Sequence, residues 1–141
     1  FNLPDQNGED TSLSDFLGKK VVLWFFPKAS TPGWTTEGQG FRDELEHFNN
    51  KDISIIGMSA DSVQKQKNFC DKQNFSYPIL ADETKETLKA YGAWGVKKMY
   101  GREYEGIIRC SFLINEEGIV EKVYDKVKTK SHAKDILSDI G

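Results

Sequence analysis

The chain has 141 residues, 38% of them hydrophobic and 29% charged, with a formal net charge of −3. That is the size of one domain with a sizeable core, and its charge balance points neither to disorder nor to a nucleic-acid partner. No stretch approaches the roughly 18 apolar residues of a membrane span. The two cysteines, Cys70 and Cys110, are too few to staple a fold of this size, and no C-x-x-C occurs. This argues against a redox dithiol and against structural zinc. His47 and His132 stand in no ligand pattern, so neither a metal nor another cofactor is expected. The first residue is Phe1 rather than Met, which reads as a start removed or processed. Cysteine usage alone points to a reducing, cytoplasmic compartment, while the missing or processed start leaves organelle targeting open.

Residues 1–10 are polar and turn-rich and predict a hairpin or extended arm; residues 13–17 predict one helical turn closed by Gly18. Residues 21–26 (VVLWFF) form an unbroken apolar run, which predicts a central strand buried on both faces. Trp34, Phe41, Leu45 and Phe48 then recur at helical spacing, so one helix is predicted up to Asn49-Asn50. Residues 53–58 (ISIIGM) predict a second buried strand. Asp61-Ser62 followed by Gln64 resembles a capping box and predicts a helix over 62–73. A short strand is predicted at 77–80, then a helix capped by Asp82 and ending near Tyr91 with Gly92 beyond it. Residues 93–106 show no clear period and read as a loop. Strands at 109–114 and 119–125 flank the turn NEEG, and a last helix is predicted at 131–140 with Ile136, Leu137 and Ile140 as its apolar stripe. Strands alternating with helices before a closing hairpin predict an α/β fold, a mixed sheet with helices on both faces.

The stretch 25–43, FFPKASTPGWTTEGQGFRD, organises the chain. A buried strand feeds a helix through a turn of Pro27, Ser30, Thr31, Pro32 and Gly33. That arrangement aims the free N–H groups and positive dipole end of the helix at one point near position 34. An anionic nucleophile or substrate would be stabilised there.

Pro27, Thr31 and position 34 match the P-x-x-x-T-x-x-C motif, and here the chain resembles the peroxiredoxins. The surrounding FFPK and TPG segments, together with FRD, look like the Q-type, bacterioferritin-comigratory branch. NFCDKQNFSYPILAD, KKMYG, GIIRCSFLI and KVKTKSHA extend the resemblance over essentially the whole chain. It implies a single thioredoxin-like domain over residues 1–141, with a central mixed β-sheet flanked by helices and an added N-terminal hairpin. It also implies thiol-dependent reduction of hydrogen peroxide and organic hydroperoxides, thioredoxin or glutaredoxin as reductant, and a monomer.

By the same resemblance Thr31 binds peroxide and nucleophile, Pro27 shields the site, Arg109 supplies a guanidinium, and Glu37 holds Arg109 by a charged hydrogen bond. The last motif position, the peroxidatic cysteine of the family, is Trp34 in this chain. Indole has only an N–H donor and forms no sulfenic acid. The chain as written is therefore expected to be inactive, through natural loss or by design. The indole is expected to crowd the pocket, and one arrangement stacks it on Arg109. Of the two places where Q-type members hold a resolving cysteine, one is Gln39 here and the other is Cys70.

Blander readings stand beside these. Trp34 shares the stripe of Phe41, Leu45 and Phe48, as a core aromatic would. Cys70 is either the resolving cysteine or a small buried hydrophobe. Cys110 alternates with Arg109 on its strand and should face the core. Lys126, Lys128, Lys130 and Lys134 read as a solvated face. Two further functional readings remain: a non-enzymatic binding protein built on the same scaffold, and a slow redox role for Cys70 alone.

Overall fold

The structure is a computed structural model describing residues 2–16, 18–25, 32–73, 75, 77–91, 94–99, 101–107, 111–124 and 132–140. Side chains of 32–35, 37, 94–99, 102–107 and 140 lie outside that description. The chain opens with an antiparallel hairpin, β1 (Asn2–Pro4) and β2 (Asp10–Ser12), followed by a 3₁₀ turn at Leu13–Phe16. Asp5 Oδ1 shapes the hairpin turn by accepting the N–H groups of Asn7 and Glu9.

Next come β3 (Lys20–Phe25), α1 (Pro32–Asp43), α2 (Leu45–Asn50), β4 (Ile53–Ser59), α3 (Val63–Gln73), β5 (Ile79–Ala81) and α4 (Glu86–Ala90). The chain continues through β6 (Trp94–Met99), β7 (Arg102–Ile107), β8 (Ser111–Ile114), β9 (Val120–Tyr124) and α5 (His132–Ile140).

Five strands form the main sheet in the order β5-β4-β3-β8-β9. β3, β4 and β5 run parallel, while β8 and β9 are antiparallel additions. The apolar run 21–25 is central and buried on both faces, as its lack of alternation predicts. On one face Val22, Trp24, Ile53 and Ile55 meet Phe41 of α1, Phe48 of α2, Phe69 and Cys70 of α3, and Ala133 and Ile136 of α5. On the other, Val21, Leu23, Phe25, Ile56 and Met58 meet Leu88 of α4, with Leu3, Leu13 and Phe16 packed over them. Helices cover both faces of this mixed sheet, the arrangement expected of the thioredoxin-like fold that the resemblance implies.

Four expectations change. The single helix after the turn is two, because the chain breaks at Glu44 between α1 and α2; Phe41 and Phe48 are both fully buried even so. The segment read as a loop holds the β6–β7 hairpin, paired from Trp94↔Ile107 to Met99↔Arg102. Gly101, at φ +75°, gives it a tight turn that a non-glycine residue rarely adopts. Ser62 does cap α3, its Oγ accepting the Lys65 N–H at 3.3 Å, but Gln64 donates to Asn68 instead of completing the box. The helix ahead of Tyr91 starts only at Glu86; Asp82 still serves it, its Oδ2 accepting the buried Leu88 N–H at 2.8 Å.

Candidate active site

The frame of the site is set by the parallel strands. β3 ends at Phe25, and α1 opens at Pro32. Trp34 lies in the first turn of α1, where backbone N–H groups have no intrahelical acceptor, and Glu37 follows one turn on. Trp24 of β3 faces Ser111 of β8 in register. The chain therefore leaves β3 and enters β8 at the same edge of the sheet, the edge where the parallel strands end. Loops at that edge of an α/β sheet are where ligands bind.

Pro27, Thr31 and Arg109 fall in segments 26–31 and 108–110, outside the described residues, as does Cys110. The side chains of Trp34 and Glu37 lie outside them too, and with these the stacking of indole on Arg109 and the Glu37–Arg109 bond. Of the basic run, Lys134 is exposed on α5 and the other three lie outside.

Cys70 is described fully. It sits on the inner face of α3 in the aromatic core, 3% exposed. Burial pushes its thiol up to about 12, with the negative charges of Asp71 and Asp5 adding to the effect. In this state the thiol is sheltered and protonated at neutral pH. Its helix is fixed to the sheet by Gln66, itself fully buried. Gln66 Nε2 donates to Ser59 Oγ at 2.7 Å and to the Leu80 carbonyl at 2.9 Å, joining α3 to the ends of β4 and β5.

Sequence reasoning missed Gln66. The available signal was its place on the stripe Val63, Gln66, Phe69, Cys70, Gln73, where a polar residue among apolar ones implies a buried partner. It also missed His132, whose Nε2 lies 2.8 Å from Ser111 Oγ in a buried pair. That bond joins the start of α5 to the strand residue just after Arg109 and Cys110.

Among the described residues no group of three or more His, Cys, Asp or Glu side chains is placed to hold a metal ion. A cleft lined by Lys20, Leu113, Glu121, Lys122 and Asp139 lies toward the opposite end of β3. Its charges are already paired, Lys20 with Glu121 at 3.1 Å and Lys122 with Asp139. Among the described residues no helix is long and apolar enough to cross a membrane.

Residues 1–123 match the AhpC/TSA family. The chain is 38% identical over 138 residues to peroxiredoxin Bcp of Escherichia coli, covering 98% of this chain and 88% of that protein. It is 42% identical over 137 residues to a putative peroxiredoxin bcp of Haemophilus influenzae, covering 97% and 88%. A solved structure of the Xanthomonas campestris bacterioferritin comigratory protein superposes with a TM-score of 0.94 at 37% identity, covering 99% of this chain and 89% of that one. The order of elements, the whole-length match and the motif around position 34 agree, and this chain belongs to the AhpC/TSA family, in its Bcp/peroxiredoxin Q group.

Proposed function

We propose that the chain is a thiol-peroxidase scaffold whose nucleophile position is filled by Trp34, and that it is inactive as written. The observation that carries this reading is the pairing of a peroxiredoxin match over 98% of the chain with a tryptophan in the first turn of α1. In the parent chemistry a thiolate at position 34 attacks one oxygen of a hydroperoxide. The O–O bond breaks, an S–O bond forms, and the departing oxygen takes up a proton to leave as water or alcohol. A second thiol, assigned here to Cys70, then displaces water from the sulfenic acid and forms a disulfide. A dithiol reductant of the thioredoxin or glutaredoxin class restores both thiols by exchange.

The frame around position 34 suits such a thiolate. The helix N-terminus favours the anion, and by resemblance Thr31 and Arg109 would stabilise the charge on the departing oxygen. Pro27 would shield the pocket, and Glu37 would orient Arg109. A redox role for Cys70 alone has less support. A thiol buried at 3% exposure and pushed up to about 12 offers little thiolate at neutral pH.

The test is peroxide consumption with thioredoxin as reductant, on this chain and on Trp34→Cys side by side. The expected outcome is a silent parent and a revertant that turns over through a disulfide to Cys70. A silent, folded revertant would overturn the reading and favour a non-enzymatic binding protein on the same scaffold.

A further inference from the structure

The C-terminal end of α3 is gripped by α1. Arg42 Nη1 donates to the Gln73 carbonyl at 2.8 Å, and Gln39 Nε2 donates to Gln73 Oε1 at 2.7 Å. Just beyond the helix, the Tyr77 hydroxyl donates to the Gly38 carbonyl at 3.0 Å in a buried bond. The Phe75 ring approaches Gly38 so closely that a Cβ there would stand 2.7 Å from Phe75 Cζ. Phe75 in turn closes the helix: its N–H donates to the Cys70 carbonyl at 3.0 Å, and its ring meets Phe69 edge-on at 5.1 Å between centroids.

A helix ends with carbonyls that its own turns cannot satisfy. In α3 the Cys70 carbonyl is answered by Phe75 and the Gln73 carbonyl by Arg42. Both answers depend on α1, since Phe75 is seated where Gly38 lacks a side chain. The turn that shelters the thiol is thus completed from outside its own helix.

We propose that Gly38, Gln39 and Arg42 form a socket for the end of α3, and that these positioning residues set how often Cys70 becomes accessible to a reagent in solution. The socket is built on the helix that begins with position 34, and Gly38 lies four residues after Trp34, on the same face. A shift of the first turn of α1 therefore pulls on the seat of Phe75. The inference stands apart from the peroxidase reading, because its readout is accessibility rather than turnover.

The experiment measures alkylation of Cys70 by iodoacetamide under native conditions, with peptide mass mapping to separate Cys70 from Cys110. It compares the chain with Gly38→Ala, Arg42→Met and the exposed control Gln64→Ala. A denaturant titration of each gives the globally unfolded fraction. Alanine is the better helix former, so a Gly38 that served only its own helix would label Cys70 more slowly once it became Ala. The socket expects the opposite, because the new Cβ displaces the Phe75 ring. For Arg42→Met, which adds no bulk to the core, Cys70 labelling should rise by ~10-fold or more, the effect of losing one charged hydrogen bond. The control should match the parent. The proposal is overturned if Cys70 rates stay level in both variants, or rise only in step with the globally unfolded fraction.

Discussion

The two faces of the central sheet are held by different kinds of force. The face under α1, α2, α3 and α5 is aromatic, built from Trp24, Phe41, Phe48, Phe69, Phe75 and Tyr77. It is also threaded by buried directional bonds: Ser59 to Gln66, His132 to Ser111, and Tyr77 to the Gly38 carbonyl. The face under α4 and the N-terminal hairpin is mainly aliphatic, with Val21, Leu23, Ile56, Met58, Leu80, Leu88 and Ile114 around Phe25 and Phe112. Apolar burial is non-directional and tolerates small displacements, whereas a buried hydrogen bond fixes both partners or costs its desolvation. The α4 face holds a buried bond too, Leu88 N–H to Asp82 Oδ2, but it serves the start of α4 alone, whereas those on the aromatic face tie separate helices and strands together. The helices that carry position 34 and Cys70 lie on that aromatic face. Burial holds the sheet together, and the polar ties decide where its functional helices sit.

Removing the largest group on the aromatic face would break this contrast hardest. Trp24 is fully buried and stacks on Phe41 at 5.4 Å between centroids. Trp24→Ala is expected to cost roughly 3–5 kcal/mol in a denaturant titration, since transfer and cavity costs add. His132→Phe should cost less, about 1–3 kcal/mol, because it withdraws the His132 partner from the buried Ser111 Oγ. Adding Ser111→Ala to that variant should recover part of the loss. Strict additivity of the two changes would show that the pair is not coupled. On the aliphatic face, Ile56→Val should cost only about 0.5–1.5 kcal/mol and leave Cys70 alkylation unchanged. A large rise in Cys70 labelling from Ile56→Val would erase the distinction between the faces.

Much of this fold was legible because the signals were local. The unbroken run at 21–25 gave away the central strand, and Asn115 before Gly118 gave away the β8–β9 turn, where Asn115 Oδ1 accepts the N–H groups of Glu117 and Ile119. The β6–β7 hairpin was missed because the pairing of Lys97 with Tyr104 and of Lys98 with Glu103 leaves no apolar alternation to read. The break at Glu44 was missed because the apolar spacing runs through it; Phe41 and Phe48 reach the same core from two helices. At the site, the motif marked position 34, and the family's spacing, not residue type, singled out Cys70 as a candidate. The ties through Gln39, Arg42 and Gln73 were not legible, because these are ordinary surface residue types whose partners come from distant segments; Gln66 alone left a trace, as a polar residue on an apolar stripe. Sequence spacing reports which face of a helix is apolar, not which carbonyl at its end lacks a donor.

The effect expected to be smallest at neutral pH is a pH dependence, and it comes from the aromatic face. In the folded chain the Cys70 thiol is pushed up to about 12, while in an unfolded chain it ionises near its ordinary value of ~8.5. Below the unfolded value both states hold the proton, and the thiol contributes no slope. Between the two values the unfolded chain gives up a proton that the folded chain keeps, so stability falls as pH rises. Tyr91 and Tyr124, both raised chiefly by burial, contribute alkaline slopes of the same sign, so the parent curve alone does not isolate the cysteine. The comparison that isolates it is the parent against Cys70→Ala, each titrated with denaturant at several pH values from 7 to the alkaline limit of folding. The difference between the curves should be flat near neutrality and narrow steadily above ~8.5, the alanine variant losing less. Curves that stay parallel would mean that the folded thiol ionises as easily as the unfolded one. The aromatic face would then be open enough at α3 for water to reach Cys70 without any release of the socket.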